Sequence, residues 1–217
     1  MNAALRLLPW ATLIVLALLS QLVPAVSGAL EYDRAAVSAG QLWRLIACHW
    51  THWSADHLFW SGGTFAALTF VSRRTAPRLG LACVACSAVI VGVAVSSVTQ
   101  LARYRGLSGI DCALFALLAT LFLFENLAAG AMRRAAGFGA LLLALATKLA
   151  YECHTGAALF VHEHAGGISP VPLAHVAGAL TGLVIAAAAR FAPASSAIPR
   201  NARLIRKYDC QPPLARG

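Results

Sequence analysis

Residues 106–126 read GLSGIDCALFALLATLFLFEN. From Cys112 to Phe124 this stretch holds no charge, and Thr120 is its one hydroxyl side chain. About 20 predominantly apolar residues are what an α-helix needs to cross a hydrocarbon layer roughly 30 Å thick. Lipid offers the backbone no hydrogen-bond partner, so a run of this kind is helical. Comparable runs lie outward on both sides, near 8–27, 55–71, 79–100, 134–150 and 172–191. With 107–126 they make six predicted spans. The expected fold is therefore an all-α polytopic membrane protein, a six-transmembrane-helix bundle over residues 1–195 with a basic tail over 196–217.

The composition agrees. Of 217 residues, 59% are hydrophobic and 12% charged, and the mean hydropathy is +0.72. The net charge of +9 does not point to nucleic acid, because the Arg residues sit in short loops and at the C-terminus rather than on one face. Topology accounts for them. With a cytoplasmic N-terminus, twelve Lys and Arg fall inside and five outside, namely Arg34, Arg44, Arg103, Arg105 and Lys148. Six of the eight acids fall near the outer face. The positive-inside rule thus predicts that both termini are cytoplasmic and that membrane lipid is a partner. Arg6, the apolar run after it and Ala25-Val26-Ser27 also fit a cleavable signal peptide, which would leave five spans. Six cysteines make no dense framework, and Cys83-x-x-Cys86 in an apolar span is not read as a metal site. Cys48 and Cys153 both map to the outer side, where a bridge between them is an open expectation.

Polar residues inside spans are costly and mark candidate sites. Three clusters share the outer half of the membrane: Trp43-Arg44 followed by His49, His52 and His57; Gly106-Leu107-Ser108-Gly109; and Ala174-His175 with Gly178 and Gly182. Ser108 opens a helix, where free backbone N–H groups favour negative charge. A serine hydroxyl becomes a nucleophile when a base takes its proton, and His175 is the candidate base. Ala174, Gly178 and Gly182 form a stripe of small residues that brings another helix close. Asp111 is expected to pair with Arg103, Arg105 or water. His49, His154, His162 and His164 are expected to have no role in the chemistry.

These clusters, in this order, resemble the rhomboid intramembrane serine proteases over most of the chain. The resemblance rests on Trp43-Arg44, on His52 with His57, on Gly106-Leu107-Ser108-Gly109, and on Ala174-His175 with Gly178 and Gly182. It implies catalysis by Ser108 and His175 without a third carboxylate and without metal or cofactor. It also implies an oxyanion held by the Ser108 N–H and His57, and structural roles for His52, Gly106, Gly109, Gly178 and Gly182. Two departures stand out. Ser61 replaces an Asn that would donate a further hydrogen bond to the oxyanion, and Cys112 replaces an aromatic that would stack on the histidine.

Two further segments, Leu30-Glu31-Tyr32-Asp33-Arg34 and Lys148-Leu149-Ala150-Tyr151-Glu152 with Thr155-Gly156, are similar to the rhombosortase branch. That similarity implies exported substrate proteins with a C-terminal Gly-Gly-type transmembrane sorting tail. It further implies a bacterial inner membrane, with the site opening to the periplasm. Lys148 and Glu152, four residues apart on a helix, also read simply as an ion pair. Three other readings stay open: a rhomboid protease with other single-span substrates, a non-catalytic client-binding relative, and a haem protein using His49, His52 and His57.

Overall fold

The computed structural model describes residues 3–157 and 171–191, with side chains from Trp10 onward. The expectations for His162, His164, Cys210 and the basic tail lie outside the described residues. The first helix, α1 (Ala3–Leu22), ends where the sequence dictates. Pro24 lacks an N–H and its ring disfavours helical geometry at the residue before it, so Val23 is extended, with φ −120° and ψ 98°. The chain then bends by 116° into α2 (Pro24–Leu30). The span expected near 8–27 is thus a bent pair of helices rather than one continuous helix.

A long outer loop follows. Strand β1 (Tyr32–Asp33) is followed by α3 (Arg34–Ser38), which the Asp33 carboxylate caps by accepting the Ala36 N–H at 2.9 Å. Then come α4 (Arg44–Ala47) and a 3-10 turn over Cys48–Trp50. Helix α5 (Ala55–Thr75) is capped by Ser54, whose hydroxyl accepts the His57 N–H. Pro77 opens α6 (Pro77–Val98), strand β2 (Arg103–Tyr104) precedes α7 (Ser108–Ala128), and α8 (Met132–Thr155) ends at Gly156, whose φ is 70°. The last described helix is α9 (Pro172–Phe191).

Helices α6, α7, α8 and α9 are long and apolar enough to cross a membrane, and the bent α1–α2 pair makes a fifth if it counts as one span. Helix α5 has the length, at 21 residues, but Asp56 at one end and Arg73 and Arg74 at the other make it less apolar.

Helix α7 is the axis of the bundle, packed by α5, α6, α8 and α9, and Ile110, Ala113, Leu114, Ala116 and Leu117 on it are fully buried. Its tightest neighbour is α9. A Cβ on Gly178 would strike the Gly109 carbonyl, and one on Gly182 the Ala113 carbonyl, so the two backbones touch. Helix α8 contrasts with this, since Ala135 and Glu152 are its buried residues and its other faces are half-buried or exposed. Large apolar side chains such as Phe59, Val98, Leu143 and Val184 point outward, as lipid contact requires.

The outer loop is tied to the segment before α7. Tyr32 pairs with Tyr104 and Asp33 with Arg103 across an antiparallel two-strand ladder. The buried Glu31 carboxylate holds Arg105 at 2.6 and 2.7 Å, while Arg34 donates to the carbonyls of Leu101 and Thr99. Arg44 closes the loop on itself, donating to the carbonyls of Gly28 and Glu31, each at 2.8 Å.

Candidate active site

Gly106 has a φ of 129°, a conformation L side chains rarely adopt. It turns the chain so that Ser108 becomes the first residue of α7. The turn is pinned from behind. The Gly106 N–H donates to the Cys48 carbonyl at 3.3 Å, and the Gly106 carbonyl accepts the Tyr104 hydroxyl at 3.4 Å. The same carbonyl faces His49 Nδ1 at 3.4 Å, while His49 Nε2 lies 2.9 Å from the Ala88 carbonyl on α6. A neutral imidazole has one N–H to give, and the shorter contact to Ala88 takes it. His49 was expected to be a bystander. It is fully buried and, through Ala88, ties the 3-10 turn over Cys48–Trp50, whose Cys48 carbonyl holds the Gly106 N–H, to α6.

His175, one turn into α9, brings Nε2 to 2.8 Å from Ser108 Oγ. On its far side Nδ1 is 2.7 Å from Glu152 Oε2 of α8. Glu152 is 1% exposed, and Lys148 Nζ contacts both its oxygens at 2.7 and 2.8 Å. Sequence reasoning missed this arrangement. The sequence offers Lys148 and Glu152 as part of a rhombosortase-like segment and as a simple ion pair, but not the reach of Glu152 to His175, and the resemblance implies that no third carboxylate is required. Two opposite charges four residues apart inside an apolar helix were the available signal.

His57, near the start of α5, lies across the turn from Ser108. Its Nδ1 faces the Trp53 N–H at 3.5 Å, which leaves Nε2 as the nitrogen able to donate forward. A Cβ on Gly106 would sit 2.9 Å from His57 Nε2 and 3.9 Å from Ser108 Oγ, so both side chains border one small space. His52 stacks edge-on against His57 with ring centres 5.1 Å apart, and the Arg105 guanidinium donates to the His52 carbonyl at 3.2 Å. Burial, then the charges of His57 and Arg105, pushes the His52 imidazole down to about 3.

Other expectations change here. The Ser61 hydroxyl donates to Asp111 Oδ2 at 2.9 Å, so its single proton is committed away from any oxyanion. Asp111 does not pair with Arg103 or Arg105, because those cations turn outward to Glu31 and Asp33. Cys112 packs with Ala116 and Ala179 against Leu145 and Leu149 of α8, and its small size lets α8 approach. Cys48 is buried, Cys153 is exposed, and both are free thiols, so the expected bridge between them is not present. No group of three or more His, Cys, Asp or Glu among the described residues is placed to hold a metal.

The profile of the Rhomboid domain matches residues 39–190, well over half of the chain. The chain belongs to the rhomboid family. Rhomboids are intramembrane serine proteases, and the apolar helices described above make this rhomboid a membrane protein. The matched segment of this rhomboid contains Ser108, His175, His57 and Glu152, while α1, α2 and Glu31 precede it. No curated protein matches the chain in sequence.

Proposed function

We propose that this rhomboid is a serine endopeptidase that cuts a peptide bond within the membrane, with Ser108 as nucleophile and His175 as base and then acid. The observation that carries this reading is the 2.8 Å contact between Ser108 Oγ and His175 Nε2, made between two spans by residues 67 apart in sequence. Ser108 Oγ attacks the scissile carbonyl carbon as its proton passes to His175 Nε2. The carbonyl oxygen becomes an oxyanion, met by the Ser108 N–H at the open start of α7 and by His57 Nε2. When the C–N bond breaks, His175 returns the proton to the leaving amine, and water then hydrolyses the acyl-enzyme by the same route in reverse. Ser61 is left out of the oxyanion site because its proton goes to Asp111.

The finer reading keeps six spans, with α1–α2 and α5 joining the four apolar helices, both termini in the cytoplasm and the site toward the periplasm. The substrates are exported proteins whose C-terminal tail joins a Gly-Gly-type motif to an apolar helix and basic residues. Glycine weakens a helix by about 1 kcal/mol relative to alanine, so such a motif unwinds to present an extended bond. Two segments support the rhombosortase branch. Leu30–Arg34 ties the outer loop to the chain before α7, and Lys148–Glu152 reaches His175.

The test is purified protein in lipid with a tailed secreted substrate. Wild type is expected to release the tail and Ser108→Ala to release none; equal product from both sinks the protease reading. Cleavage of single-span substrates without the Gly-Gly motif at the same rate would sink the branch assignment alone.

A further inference from the structure

We propose that Glu152, held by Lys148, is a positioning residue for His175 that fixes the imidazole in the tautomer leaving Nε2 free to take the Ser108 proton. The proposal rests on Ser108 being the nucleophile and deepens that reading. Glu152 Oε2 and Ser108 Oγ approach the two ring nitrogens from opposite sides, at 2.7 and 2.8 Å. An ionised carboxylate only accepts, so Nδ1 carries the proton. A neutral imidazole has one N–H, and Nε2 is therefore bare and aimed at the hydroxyl.

A carboxylate 1% exposed is costly unless paired, and Lys148 supplies the pair through both oxygens. Lys148 itself stands 3.5 Å from Nδ1, too far for a good bond, so its effect on His175 runs through Glu152. No other carboxylate among the described residues bonds His175, since Asp111 is engaged with Ser61. The packing fits the role. Cys112 and Ala116 are small enough for Leu145 and Leu149 to seat α8 against α7, which brings Glu152 to the histidine. An ion pair serving the helix alone would be complete with Lys148 and would have no use for the third contact.

A fluorophosphonate probe tests this without a known substrate. Its reaction forms a bond from Ser108 Oγ to phosphorus and expels fluoride as the serine proton goes to His175 Nε2. Full-length protein in lipid nanodiscs is labelled as wild type, Ser108→Ala, Glu152→Gln, Glu152→Asp and the double variant Lys148→Met/Glu152→Gln. The double variant leaves no buried charge unpaired and guards against loss of fold. Wild type is expected to label and Ser108→Ala not to. Glu152→Gln and the double variant should label on the order of 10²-fold more slowly at saturating probe, with half-saturation unchanged and partial rescue by Glu152→Asp. Labelling of both neutral variants within about threefold of wild type overturns the proposal.

Nitrogen NMR of His175 gives the second readout, independent of activity. The Nδ1–H tautomer is expected in wild type and a mixed population in the double variant. Identical His175 signals in the two overturn the proposal even if wild type takes no label, an outcome that would separately end the nucleophile reading.

Discussion

Gly106 shows how much one residue carries. Its φ of 129° and the 2.9 Å that would separate an added Cβ from the His57 ring leave no room for a side chain. Gly106→Ala is expected to displace His57 and the start of α7 together, lowering cleavage by at least about tenfold in a folded protein; near-normal turnover would contradict this. Ser61 makes the opposite case. Ser61→Ala removes the one hydrogen bond that the buried Asp111 carboxyl makes among the described residues and should destabilise the fold by about 1–3 kcal/mol, read as a lower apparent melting temperature. With its proton committed to Asp111, its loss should leave the rate per folded molecule within a few-fold of wild type. A steep fall in that rate would return Ser61 to the oxyanion site. The types and order of Ser108, His175 and His57 were legible in the sequence because each sits in a local pattern. Glu152, His49 and Asp111 were not, because their partners lie on other helices and spacing along the chain does not reveal which faces meet.

Among the elements, the α7–α9 pair is the most constrained. Gly178→Ala puts a methyl into the Gly109 carbonyl, and the expected cost is about 1–3 kcal/mol, or more if the helices cannot part. Thermal unfolding in detergent measures it, and an unchanged transition would mean that the two backbones are not in contact. Cys112→Phe tests the other side of α7. The ring has no space under Leu145 and Leu149, so α8 should be pushed away and labelling of Ser108 slowed as in Glu152→Gln, whereas a wild-type rate would show that α8 tolerates the displacement. The small-residue stripe of α9 was readable because Ala, Gly and Gly recur every four residues. The break in the first span was also written there, in Pro24, but hydropathy averages over such a residue and reported one continuous run.

For the molecule as a whole, pH reaches stability through histidines buried outside the spanning helices. Burial lowers His49, and burial with the neighbouring charges of His57 and Arg105 takes His52 from 6.5 to about 3. The unfolded chain takes up a proton at each below about pH 6.5, and the folded chain does not. Stability should therefore be flat above that pH and fall as the medium is acidified toward 3, by about 2 kcal/mol at pH 5 from His52 alone. Apparent melting temperatures at about pH 7.5 and 5 check this, and His52→Gln should shrink the difference; a difference unchanged by that substitution assigns the acid sensitivity elsewhere. Class and membrane placement were legible from composition because the bilayer demands long apolar runs, while the docking of the outer loop through Glu31 and Arg105 depends on residues 74 apart.

The position of Glu152 bears on which membrane suits this rhomboid. Helix α8 buries little besides that carboxylate and Ala135, and presents Leu141, Leu143 and Tyr151 outward. The acyl chains around it are thus part of its seat. A bilayer too thin or too thick for its apolar length tilts a loosely held helix at a cost of only fractions of a kcal/mol per Å. Reconstitution across a series of lipid chain lengths should therefore give turnover that peaks at one thickness, with the falling sides steepest where the contact between Glu152 and His175 is the first to part.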